Sequence, residues 1–424
     1  MSLKSKIIFI LIFLIVGASA VFFYLRIKKT PIPGTQTTTN AYPNFNSTTS
    51  TSTSPSTPET TGGNNETPVT PPTSSPFHKI TEFSVAGATF FEDLRPIPTT
   101  EVALPGGVKP AKGKKVVAPK PKFEVVPSIR YVERVTGHIT QMYLDTKVTG
   151  EVSNSTIPNI HEALFDAKAS SIIYRYLAED GKTITSFLAT LGGTKGEFLP
   201  SDILDVSLSP DKNKFFYITK TFTGVVGTTR AFKDTKKIQV FNSSLTEWIS
   251  QWVNDQTIYL TTKASASVQG NMFSLNIANG VLSKVLGGVP GLTTLANKDG
   301  SLVLYNTSTT TGPVLRIYNV KNSTTKDLNL NGLPEKCVWS NITLYCAIPS
   351  QIPGSNYPDS WYQGITSFDD QFVKIDTSVG TVTTLGDSTT ETAVDGTHLF
   401  LNKDGTELFF INKKDFTLWG IDIK

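Results

Sequence analysis

From about residue 160 onward, short strings of β-branched and aromatic residues alternate with clusters of Asp, Asn, Pro and Gly, the pattern of strands broken by tight turns. The stretch LSPDKNKFFYI, 208–218, is one such unit, and related units recur down the chain. They are EALFDAKASSIIYRY, DVSLSPDKNKFFYIT, EWISQWVNDQTIYLTT, LTTLANKDGSLVLYN, EKCVWSNITLYCAI and THLFLNKDGTELFFIN, starting at 162, 205, 247, 292, 335 and 397, so four of the five intervals are about 43 residues. Each reads as strand, turn, strand, and two further strand-like segments such as KKIQVFN and NMFSLNI fill the interval. Almost no segment shows a 3.6-residue apolar period, which disfavours a helical solenoid of similar repeat length.

Four short antiparallel strands per period predict a propeller blade, and blades pack face to face around an axis until the ring closes. The last blade ends one strand short at TLWGIDIK. The segment HKITEFSV, 78–85, is expected to supply that strand, and GATFFED, SIRYVERV, HITQMYLD and KVTGEVS to make another blade, giving seven. The fold class is therefore all-β, a seven-bladed β-propeller over 77–424 with a Pro- and Lys-rich inserted loop at about 95–126.

LSPDKNKFFYI, NKDGSLVLYN and NKDGTELFFIN resemble the SPDGK-type repeat of the TolB and WD40-like (PD40-type) bacterial propellers. The resemblance covers 78–424 in pattern and is strong at three blades, implying the fold and little about activity. The chain departs from TolB in lacking a separate N-terminal domain and in carrying an apolar N-terminal segment.

That segment, Ile7 to Leu25, has 19 residues without a charge. At about 1.5 Å per residue it spans roughly the 30 Å hydrocarbon layer. Two readings stand: an uncleaved anchor over 1–29, favoured by the length of the run, or a signal peptide cleaved after the ASA at 18–20. Residues 30–76 are mostly Thr, Ser, Pro, Asn and Gly, a composition that cannot bury a core and reads as a disordered stalk. Together they predict a membrane-anchored protein whose propeller lies on the extracytoplasmic side.

Cysteine usage agrees with export. The only two, Cys337 and Cys346, fall opposite one another if EKCVWSNITLYCAI is a hairpin turning at Asn341 and Ile342, within reach of a disulfide; a pair of buried free thiols is the alternative. The net charge of +4 is small, and the lysines of KPAKGKKVVAPKPK, 109–122, lack interleaved aromatics, so no nucleic-acid partner is expected. The chain has no G-x-S-x-G, no H-E-x-x-H, no Walker loop and no dinucleotide fingerprint. His78, His138, His161 and His398 are scattered, and the two NKDG segments lack the carboxylate spacing of a calcium loop. No catalytic residue, metal ligand or cofactor site is assigned, and the head is expected to be monomeric.

Two surfaces remain as candidates. Glu162, Asp205, Glu247 and Glu335 align at the start of the innermost strand of four blades, where they form a partial ring at the channel mouth or turn into blade interfaces. Long second-to-third-strand loops are expected at 219–235, 262–270 and 348–368, all on one face. The last carries Tyr357, Trp361 and Tyr362, either exposed as contact anchors or packed back as a cap. The leading expectation is a non-enzymatic scaffold for a protein or glycan partner. The alternatives are a hydrolase or lyase using the channel carboxylates, and a purely structural surface protein.

Overall fold

The computed structural model describes residues 76–97, 122–193, 196–387 and 393–423. Residues 1–75, which contain the expected anchor and nearly all of the stalk, lie outside the described residues. Among the described residues no helix is long and apolar enough to cross a membrane.

Seven four-stranded antiparallel sheets follow one another along the chain. Blades 1 to 6 occupy 85–153, 160–198, 203–243, 248–290, 294–331 and 337–387, each with its strands A to D in sequence order. Blade 7 combines Gly396–Leu401, Glu407–Asn412 and Leu418–Asp422 as A, B and C with Phe77–Lys79 as D. The N-terminal strand thus completes the last blade, with Phe77 opposite Ile421, His78 opposite Gly420 and Lys79 opposite Trp419. It is shorter than the expected 78–85. Thr81 ends the ladder by accepting a bond from the Leu418 amide on its hydroxyl, and Val85 already belongs to strand A of blade 1.

Burial explains why strand B of each blade reads as an unbroken apolar string. In blade 3, Phe215 and Tyr217 pack toward blade 2, while Phe216 and Ile218 pack toward blade 4. Both faces of the blade are covered, so consecutive rather than alternate positions must be apolar. Seven apolar clusters, one per junction, run round the ring, and the seventh joins Val85, Ile129 and Tyr131 of blade 1 to Phe409, Ile411 and Leu418 of blade 7. Cys337 and Cys346 face each other on strands A and B of blade 6 and are joined by a disulfide across a Cα separation of 4.1 Å.

One expected loop is largely strand, and another is narrower than expected. Residues 219–235 fold as a tight hairpin in which Thr221 pairs with Gly224 and Phe222 stands at the tip. Gly227, one of the residues that suggest a loop, is there for packing, since a Cβ on it would come within 2.4 Å of the Phe216 ring. Similarly, strands A (Val85–Pro96) and B (Phe123–Glu133) of blade 1 stay paired out to Pro96 and Phe123, so the insertion begins only beyond them. Arg95 clamps the arm through Glu124 at 2.8 Å and Asp145 at 2.6 Å, and 98–121 lies outside the described residues.

Candidate functional site

The innermost strands of blades 1 and 2 lie so close beside the axis that a Cβ on Gly87 would meet the Ala163 carbonyl at 2.1 Å. Register shifts between Ile160 and Glu162, and between Ile203 and Asp205, put these two carboxylates at matching positions of blades 2 and 3, one residue before the partner of a strand B tyrosine (Tyr174, Tyr217). The same position is Ser250 in blade 4 and Cys337 in blade 6. Glu247 precedes its strand and Glu335 lies in a 3-10 turn, Pro334–Lys336, so the four-membered register does not hold.

Nor do the four carboxylates converge on a common cavity. Glu162 accepts a bond from Arg175 at 2.7 Å, and Arg175 also donates to the Ile203 carbonyl of blade 3 at 3.2 Å. Asp205 accepts the Ser250 amide at 2.8 Å and its hydroxyl at 2.5 Å, tying blade 3 to blade 4. Burial pushes the Asp205 carboxyl up to about 6; the Ser250 bonds and Arg175 oppose the rise and Glu162 adds to it. Glu247 forms an exposed pair with Lys263 at 3.1 Å. Glu335 accepts the Thr293 hydroxyl of blade 5 at 3.0 Å and the Tyr362 hydroxyl. Burial raises its carboxyl, with those two bonds in opposition. Near Glu162, burial holds His161 and His398 below the usual imidazole value. These contacts turn carboxylates into ties within and between blades.

The aromatic loop folds inward. Tyr357 and Trp361 are 1% and 4% exposed, so the exposed-anchor reading of these two residues gives way to the cap. The reason is a charge cluster beneath them. Lys336, fully buried, donates to Asp370 at 2.8 Å, to Asp395, and to the Gly396 carbonyl at 2.9 Å. Asp395 needs further donors, and the loop supplies the Trp361 indole nitrogen at 2.9 Å, the Phe368 amide at 3.0 Å and the Ser367 hydroxyl at 3.2 Å. The Lys336 ammonium lies 5.5 Å from the Trp361 ring and 5.3 Å from that of Phe368. Burial pushes Asp370 up to about 6 against the pull of Lys336, while Asp395 reinforces the rise. Tyr362 remains 43% exposed, yet its hydroxyl turns inward, and burial beside Glu335 holds it well above the ordinary tyrosine value. Nothing in EKC or DDQ distinguishes Lys336 and Asp370 from solvated charges, so sequence reasoning passed over this cluster.

Folding the aromatics inward leaves a cleft of mixed polarity outside. Loop 263–268 of blade 4 and loop 350–369 of blade 6 meet where the Asp359 carboxylate accepts the Ala266 amide at 2.5 Å. Ser265, Ser267, Asn356, Asp359, Gln363 and Thr366 line a cleft of about 510 Å³ between them, with Ile365, 75% exposed, on the same loop. The left-handed turn at Gly291, φ +63°, ties in a third loop through bonds from its amide to the Ser265 and Val268 carbonyls. These lining groups offer donors and acceptors at fixed spacing, and among them only Asp359 carries a charge.

No protein-family model and no curated protein sequence matches the chain. Among solved structures it is similar to an oligogalacturonate lyase in complex with manganese, at 11% identity over 70% of this chain and 86% of that one, TM-score 0.48. It is also similar to TolB from Acinetobacter baumannii, at 11% identity over 70% of this chain and 76% of that one, TM-score 0.41. A third is the β-propeller domain of the trilobed protease from Pyrococcus furiosus, at 8% identity over 70% of this chain and 92% of that one, TM-score 0.47. The seven-bladed all-β architecture of this chain is given by its own strand order and register.

Proposed function

We propose that the protein is a non-enzymatic recognition scaffold, held on the outer side of a cell envelope by residues 7–25, whose propeller presents the cleft between loops 263–268 and 350–369 to a glycan. The cleft carries this reading. It is framed by loop 350–369 and the Gly291 turn, each bonded to loop 263–268, and its hydroxyl, amide and carboxylate groups beside the apolar Ile365 suit a sugar chain, which carries both hydroxyls and C–H faces. The composition of 1–76 supports the envelope placement. The ties made by Glu162, Asp205, Glu247 and Glu335 speak against a carboxylate pair poised as acid and base.

The test is retention of labelled envelope glycan fragments on an array by the wild type and by Gln363→Ala. Retention that falls at least tenfold in the variant, with an unchanged melting temperature, is the expected result. Equal retention by both, together with a protein captured in intact cells by a photo-crosslinker at position 363, replaces the glycan with a protein partner. A second reading, a lyase or hydrolase, is favoured by one observation, the raised Asp205 carboxyl. Turnover of any glycan that Asp205→Asn abolishes would establish it.

A further inference from the structure

The closing blade carries a group of side chains that neither the cleft nor the channel uses. His78 on strand D, Glu407 on strand B and Asp422 on strand C each offer one ligand atom, and these atoms all lie within 4.8 Å of one another. Among the described residues no other three His, Cys, Asp or Glu side chains are so arranged. The His78 Nε2 lies 3.1 Å from a Glu407 carboxylate oxygen, two strands away. It reaches that far because the intervening residue is Gly420, where a Cβ would meet Nε2 at 2.3 Å. A bare glycine under the imidazole is a second, independent sign that the ring's position is built in.

We propose that His78, Glu407 and Asp422 bind a divalent transition-metal ion of the zinc type that fastens the N-terminal strand to the last blade. One imidazole nitrogen and two carboxylate oxygens suit Zn²⁺ better than the all-oxygen shells of Ca²⁺ or Mg²⁺. Asp422 is exposed, so water reaches the open coordination positions. Charge also favours the ion. Two carboxylates and a neutral imidazole sum to −2, and the Lys147 ammonium, 3.3 Å from Glu407 and half exposed, offsets only half of it. A divalent ion balances the group and displaces Lys147. The ligands are separated by 329 residues of chain between His78 and Glu407, so one ion joins the two ends of the ring.

Zn²⁺ titration of the purified full chain tests the site through melting temperature. A rise of roughly 5 °C at a hundredfold excess over Kd is expected. Ca²⁺ and Mg²⁺ should produce none. Asp422→Asn, an exposed change that keeps the strand, should abolish the rise, and Lys147→Met should tighten Zn²⁺ severalfold by removing the competing cation. Co²⁺ gives an optical readout that does not depend on stability, with a visible d–d band expected in the wild type and lost in both Asp422→Asn and His78→Gln. No Zn²⁺ response, or a response and a Co²⁺ band that survive Asp422→Asn, would overturn the proposal.

Discussion

Two sets of carboxylates stand in this ring, one clustered around a buried lysine and one scattered. At the junction of blades 6 and 7, Asp370 and Asp395 are shut away with Lys336, all three at zero side-chain exposure, and an aromatic loop closes over them. Elsewhere in the ring, Glu162, Asp205, Glu247 and Glu335 sit singly, each bonded to a different neighbour. The dry group has no water to fall back on, so every donor must come from the protein and the loop is drawn in to provide three of them. The second group has no common enclosure: Glu247 is exposed, the Asp205 and Glu335 carboxyls are buried singly, and each member serves as a tie. Clustering around one buried charge, more than burial alone, decides whether a carboxylate organises its surroundings or merely joins them.

The strongest way to break this contrast is to remove the buried cation. Lys336→Met leaves two carboxylates without their ammonium and should cost about 3–5 kcal/mol in urea unfolding. A loss below about 1 kcal/mol would put the dry cluster on a level with the surface pairs. A smaller effect is expected at Asp205, whose carboxyl is also pushed up to about 6. Its folded value lies above its unfolded one, so its contribution is fully present below the ordinary aspartate range and is lost as pH rises through about 6. That loss is at most about 3 kcal/mol, and less because the residue is only part-buried. Asp205→Asn should therefore flatten the fall in stability between roughly pH 4 and 6, as measured by thermal unfolding across that range. The smallest effect belongs to Glu247→Gln, which breaks an exposed pair and should move stability by no more than about 0.5 kcal/mol. A larger change would give this exposed pair a structural weight closer to that of the Lys336 cluster.

Strand patterning was the most legible feature of the sequence, because a blade covered on both faces writes apolar residues at consecutive positions, as in Phe215 to Ile218. The aligned acids were only half legible. Glu162 and Asp205 share a bulge position, whereas Glu247 and Glu335 precede their strands and imitate the register only by sequence spacing. At 219–235 the Gly and Thr content resembled a loop, and only the ring of Phe216 across the sheet reveals why glycine is needed. The aromatics at 357–362 announced a special loop but not its direction. That direction depends on Asp395, 34 residues beyond Trp361, and on a lysine whose burial no local pattern records.

The three-residue outer strand of blade 7 has a mechanical consequence. Tension on the chain at residue 76 enters the propeller through Phe77–Lys79 and the bonds from Ile80 and Thr81 to Leu418. Antiparallel pairs of this kind resist best when pulled along their length, where all rungs share the load, and least when pulled sideways, where the rungs break in succession. With so few rungs, the direction of pull sets the force at which the ring opens. His78, lying across Gly420 onto Glu407, acts as a transverse stay against the sideways mode.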